Sequence, residues 1–256
     1  MPGFDTDEIK DFLEKKYMQY SNAAFIKDDP VSIPHRFYHK EDREISGFLA
    51  ATISWGQRKT ILQNAEKLLL WMDDSPYDFV TGFSENELKP FRKFAHRTFQ
   101  GTDCIVFLRS MKRVYANGGL QELFEKPFRK TESLQEAIAS ARKNFFASYK
   151  GRALKHFSDP SAGSAAKRIN MFLRWMVRKD ATGIDFGIWN GIPASNLVCP
   201  LDVHSGKIAR KLGLLNRKQN DWRAAEELTR NLRLFDDADP VKYDLALFSL
   251  GAIEKL

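Results

Sequence analysis

The chain has 256 residues, enough to bury a core for one large or two small domains. Apolar residues make up 43% of it, with 20 Phe and 5 Trp, which excludes a disordered chain; the net charge of +7 suits a polyanionic partner without requiring one. Two cysteines, Cys104 and Cys199, rule out a disulfide framework and a four-thiolate metal site, and no apolar run approaches a membrane span.

The acidic start, MPGFDTDEIK, lacks the apolar stretch of a signal peptide, so a cytoplasmic protein is expected. Helical periodicity dominates from there on, with no repeat and no convincing alternating strand. Asp5 or Thr6 caps a first helix to about Tyr20, with Ile9, Phe12, Leu13 and Tyr17 on one face. Residues 28–34 form a turn-rich link. A helix from about Glu41 buries Ile45, Phe48, Leu49 and Ile53; Gly56 breaks it, and Arg58 to Met72 forms the next. Short helices are expected near 75–82 and 84–94. Thr102–Asn117 is closed by Gly118-Gly119, and Ser133 caps a helix to about Tyr149. Asp221 caps residues 222–234, and Asp239-Pro240 opens the last helix with Pro in its first turn. The expectation is an all-α fold.

Two segments carry chemistry. In Cys199-Pro200-Leu201-Asp202-Val203-His204, Asp202 stands where a helix begins, followed by the apolar pair Ile208 and Leu212 and a basic face of Lys207, Arg210 and Lys211; Gly213 stops the helix. An Asp there accepts the first free N–H groups, sits at the positive end of the helix dipole and is expected to stay ionised. An N-cap and nothing more is the plain alternative. Upstream, small residues 161–166 lead into a helix with Ile169, Phe172, Leu173 and Met176 inward. With Ser164 as cap, Lys167 falls in the first turn, where the dipole and the adjacent Arg168 disfavour the ammonium and favour a nucleophilic amine. A surface lysine is the alternative.

Together these segments resemble the helix-hairpin-helix (HhH-GPD) DNA glycosylases, in which a lysine opens the second hairpin helix and a Pro-x-Asp-x-His-type segment caps the next. The matching residues are Lys167 and Asp202, and the similarity is nearest to the archaeal-type 8-oxoguanine glycosylases and a bacterial family related to them. It covers about residues 160–256, with a weaker likeness over 42–72. The hairpin carries Gly163 where the family usually has two glycines. The lysine and aspartate are further apart than in typical members, because residues 179–198 read as an insertion with a short helical turn around Asp185–Trp189. No four-cysteine cluster follows Asp202, so the iron–sulfur subgroup is excluded.

The resemblance implies a two-lobed helical fold with the active cleft between the lobes. One lobe would be residues 1–40 with 197–256, the other 41–196 including a hairpin-like segment at 158–178. It implies a monomeric bifunctional glycosylase and apurinic/apyrimidinic lyase of the nucleoid, acting on an oxidised purine, 8-oxoguanine above all, in duplex DNA. No cofactor or metal is called for. Gln57 and Arg58, in the turn Ser54-Trp55-Gly56-Gln57-Arg58, suit insertion into the duplex where a base has been extruded; an ordinary turn is the alternative. Met171 and Arg174 share the Lys167 face and are pocket candidates, or core. His204 braces the aspartate segment. Tyr243, Asp244 and Phe248 on the last helix are placed near the purine, or pack the core. Lys207, Arg210 and Lys211 contact phosphates, or form a solvated face. Trp175 and Trp189 stack on a base, or are structural. His35 and His39, four apart, lack a third zinc ligand nearby. The competing readings are a non-catalytic helical DNA-binding module and an all-α interaction scaffold with no nucleic-acid role.

Overall fold

A computed structural model describes residues 5–256. It is predominantly helical. In chain order the α-helices are α1 (Thr6–Tyr20), α2 (Ala23–Lys27), α3 (Lys40–Thr52), α4 (Arg58–Leu70), α5 (Pro76–Gly82), α6 (Gly101–Tyr115), α7 (Gly119–Thr131), α8 (Leu134–Phe146), α9 (Lys167–Val177), α10 (Val203–Lys211), α11 (Trp222–Arg233) and α12 (Tyr243–Ala252).

Three differences from the expected elements have physical causes. Helix α7 was not expected, because Gly118-Gly119 read as a stop. Gly118 does take a left-handed conformation, but it opens α7, and Pro127 is carried inside that helix. Residues 84–94 form turns and a 3-10 segment, Pro90–Lys93, rather than a helix. A two-residue hairpin pairs Ala95 with Gln100 and His96 with Phe99; strands this short leave no alternation to read. His35 lies in a 3-10 turn, Pro34–Arg36, and His39 is the N-cap residue of α3, so the two share no helix face.

The chain divides into two units, Met1–Phe25 with Asp159–Leu256, and Ile26–Ser158. The boundaries expected at 40 and 196 are therefore displaced, and α9 belongs with the C-terminal helices. The Trp222 N–H donates to the Gly163 carbonyl (3.1 Å), and Arg174 on α9 and Arg178 at its C-cap pair with Asp244 and Asp239. These links run between 159–178 and the C-terminal segment.

The Ile26–Ser158 unit has an aromatic core. Phe48 of α3 meets Phe107, Phe145 and Phe157 at centroid distances of 5.3–6.1 Å. The Phe107 ring is stacked on Phe48, the Phe145 ring tilted and the Phe157 ring edge-on; stacked and edge-to-face pairs add about 0.5–1.5 kcal/mol each beyond burial. In the other unit the core is built by α9, α11 and α12. Phe172, Leu173, Trp175 and Met176 are fully buried, with Leu228 and Leu232 of α11 and Ala246, Leu247 and Leu250 of α12. Helix α12 has no polar face to speak of, as befits an element enclosed by its unit. Gly251 on it lets the start of α10 approach closely: a Cβ there would lie 2.8 Å from the His204 carbonyl oxygen.

Candidate functional site

Lys167 and Asp202 meet within the unit that carries both. The Lys167 Nζ lies 3.8 Å from Asp202 Oδ2, with the side chains 26% and 21% exposed. That is ion-pair distance but outside hydrogen-bond reach.

The local structure of Asp202 follows from its sequence. As the N-cap residue of α10 it presents Oδ1 to the N–H groups of His204 (2.8 Å) and Ser205 (2.9 Å). Ser205 returns the contact, its Oγ accepting the Asp202 N–H at 2.9 Å. One carboxylate oxygen is thus committed to the helix, and the other faces the lysine.

The lysine arm differs from the expected one. Ser164 is not the N-cap residue of α9; Ala166 is, in a left-handed conformation with φ 47°. The Ser164 Oγ instead accepts the Ala166 N–H two residues on (3.2 Å). Residues 160–163 make one turn, with the Gly163 N–H donating to the Pro160 carbonyl (3.0 Å), so no α-helix precedes the turn directly. Gly163 has φ 89°, which favours glycine. Lys167 is the first residue of α9, at its positive end. Burial pushes the neighbouring Arg168 down to about 10, still charged at neutral pH.

Three consecutive residues tie the two arms together, and sequence reasoning missed them as a unit. The Asn220 side-chain amide donates to the Asp202 carbonyl (2.8 Å). Asp221 bridges to Ser164, and the Trp222 N–H donates to Gly163. Arg210 holds this strap in turn, through Asn220 Oδ1 (2.7 Å) and the carbonyls of Arg217 and Lys218 (2.9 Å each). Arg210 is therefore occupied, whereas Lys207 is exposed. The Arg217 hydrogen bond lowers the Asp221 carboxyl to about 2.

Several pocket candidates are core residues. Met171 is buried. Tyr243 is fully buried and its hydroxyl donates to Glu14 (2.5 Å), while burial raises it above the usual phenol range. Arg174 and Asp244 are buried and paired with each other. Trp175 and Trp189 are buried, the latter edge-on to Phe172 at 5.4 Å. Phe248 is half-buried and stands edge-on to the exposed His204, centroids 6.5 Å apart. The 185–189 stretch is not helical. Lys179 bridges to Phe186, the Phe186 and Trp189 N–H groups donate to the Trp175 and Met176 carbonyls, and the helical turn lies at Ala194–Asn196. Gln57, exposed, is the N-cap residue of α4 and Arg58, half-buried, its first residue; both belong to the Ile26–Ser158 unit.

Among the described residues no cluster of three metal-ligating side chains exists, and no helix is long and apolar enough to cross a membrane. The arrangement is that of a helical unit presenting one amine and one carboxylate from two helix N-termini. The chain belongs to the family described as "Protein of unknown function (DUF2400)", whose model matches residues 29–253. No curated protein and no solved structure matches it.

Proposed function

We propose that this protein is a helix-hairpin-helix DNA glycosylase with lyase activity, excising an oxidised purine, 8-oxoguanine first among them, from duplex DNA. The observation that carries the reading is the Lys167–Asp202 pair, two chemically complementary groups brought to 3.8 Å from helix starts far apart in sequence.

The damaged nucleotide is extruded, since its C1′ is out of reach in the stack. Asp202 Oδ2 stabilises the positive charge that develops on the sugar as the C1′–N9 bond breaks, and takes a proton from the Lys167 ammonium. The free amine forms a bond to C1′; the base leaves with the electron pair of the glycosidic bond and is protonated. Opening of the sugar ring leaves an imine between Lys167 Nζ and C1′. Loss of a C2′ proton then expels the 3′ phosphate. Nothing in this sequence of steps needs a redox partner.

The test is a panel of duplexes, each with one lesion, incubated with the full chain and borohydride. A covalent adduct with the parent protein that is absent in Lys167→Gln supports the reading. An adduct that survives Lys167→Gln, or none with any lesion, overturns it. Gel shift without nicking would instead identify a binding-only protein.

A further inference from the structure

Three segments of the Ile26–Ser158 unit, far apart in the chain, meet at one exposed spot. They are the turn into α4 (54–60), the short hairpin leading into α6 (95–102) and the 3-10 stretch Arg152–His156 with its neighbours (151–157). Two buried histidines join them. His96 Nε2 donates to the Trp55 carbonyl (3.0 Å), and its Nδ1 accepts from the Asn64 amide of α4 (2.9 Å). The Trp55 ring has His156 stacked on it at 5.9 Å and His96 at right angles to it at 4.9 Å. Arg152 Nη2 donates to the Thr98 carbonyl (2.8 Å) and lies 3.2 Å from the buried Asp103, so the hairpin tip is tied to the third segment as well.

What this frame presents to solvent is positive. The three segments carry Arg58, Lys59, Arg97, Arg152 and Lys155 and no Asp or Glu. Of these only Arg58 is half-buried; the rest are exposed. Arg97 stands at the hairpin tip, and its guanidinium lies across the Gly56 turn: a Cβ on Gly56 would be 3.0 Å from its Nη1. Asp103, next along the chain from the hairpin, is fully buried and already met by Arg152 and His156. Among the described residues no carboxylate pairs with Lys59, Arg97 or Lys155. Cations held on a fixed frame without counter-charges concentrate a positive field.

The make-up of the surface decides the class of partner. A protein interface centres on a large apolar anchor in a desolvated pocket, and a single-stranded nucleic acid needs open rings on which bases stack. Trp55 is the one aromatic ring of these segments that is not buried, and His96 and His156 already pack against it. What remains is charge, the means by which duplex DNA is held through its phosphates. We propose that Arg97 at the hairpin tip, with Lys59 and Lys155 of the adjoining segments, forms a phosphate-contacting surface for duplex DNA, and that Arg152 and His96 hold the tip in place. The inference rests on duplex DNA as the partner, not on any chemistry at Lys167.

The full chain is titrated with a fluorescent duplex that carries no lesion, and with one of its strands alone, between about 50 and 200 mM salt. The duplex should bind more tightly than the single strand. Arg97→Ala should lower the slope of log affinity against log salt by about one, and Arg97→Lys should retain it. No salt-dependent duplex binding, tighter binding of the single strand, or an unchanged slope in Arg97→Ala overturns the inference. So does an equal fall for Lys126→Ala on α7, outside these segments, because net charge alone would then be read. Should Arg97→Ala not fold, Lys155→Ala decides by the same measure. If the slope falls as stated while no lesion gives a borohydride adduct, the glycosylase reading fails and the surface stands. If adducts form and the slope is unmoved, only the surface fails.

Discussion

Asp202 faces Lys167 with one oxygen and holds its own helix with the other. The two tasks separate in mutants. Asp202→Asn keeps an oxygen that can accept the His204 and Ser205 N–H groups but loses the charge. We expect an unfolding free energy from urea denaturation within about 0.5 kcal/mol of the parent and a base-release rate lower by at least about 100-fold, the scale of a lost charge-stabilising group. Asp202→Ala loses the cap as well and costs about 1 kcal/mol in addition. Equal loss of stability in the two variants would show that the cap is not what Oδ1 provides.

Asn220 makes the second prediction. Its amide holds the Asp202 carbonyl while its neighbours hold the turn before Lys167. Asn220→Ala removes one exposed hydrogen bond on each side, so the melting temperature should change little, in line with about 0.5–1.5 kcal/mol per bond at most. Single-turnover base release should fall by about tenfold or more, because misplacement of reacting groups by about 1 Å is costly. Unchanged turnover would remove the strap from the account.

The extent to which this site could be read from sequence depended on distance along the chain. The Asp202 cap was legible because Asp, an apolar stripe and Gly213 form a local pattern. The helix of Lys167 was legible, but its start was not. Ala166 adopts a left-handed conformation because the Ser164 hydroxyl and the Asp221 bridge hold the turn, and neither is a local signal. Arg174 and Asp244 were read as pocket residues because a charged side chain on a helix carries no mark of its partner. Their pairing spans 70 positions and exists only after α9 and α12 pack. Helix α7 failed for the opposite reason: the strong local signal at Gly118-Gly119 was overridden by packing of Leu120, Phe124 and Phe128.

The basic face of α10 makes a further prediction. Lys207 is exposed, whereas Arg210 is bound to the strap. Lys207→Ala should weaken binding to any duplex alike and lower the slope of log affinity against log salt by about one. Arg210→Ala should act chiefly on stability and turnover. Salt titrations of both variants, compared with their urea midpoints, check the division; an unchanged slope for Lys207→Ala removes that phosphate contact.

The last prediction concerns stability and is independent of any activity. Burial raises Asp244 from 3.8 to about 6 in the folded protein. Between those values the folded chain holds a proton that the unfolded chain has released. The contribution of this group is therefore full below pH 3.8 and lost as pH rises through 6. A shift of this size corresponds to something on the order of 3 kcal/mol. Asp244→Asn cannot titrate, so the difference in unfolding free energy between parent and variant should slope across this window, with the parent losing ground as pH rises. Carboxylates that do not interact with Asp244 titrate alike in both proteins and cancel in the difference. Urea denaturation at half-unit steps from about pH 4 to 7.5 measures it. A flat difference would mean that Asp244 is ionised throughout, with Arg174 outweighing its burial.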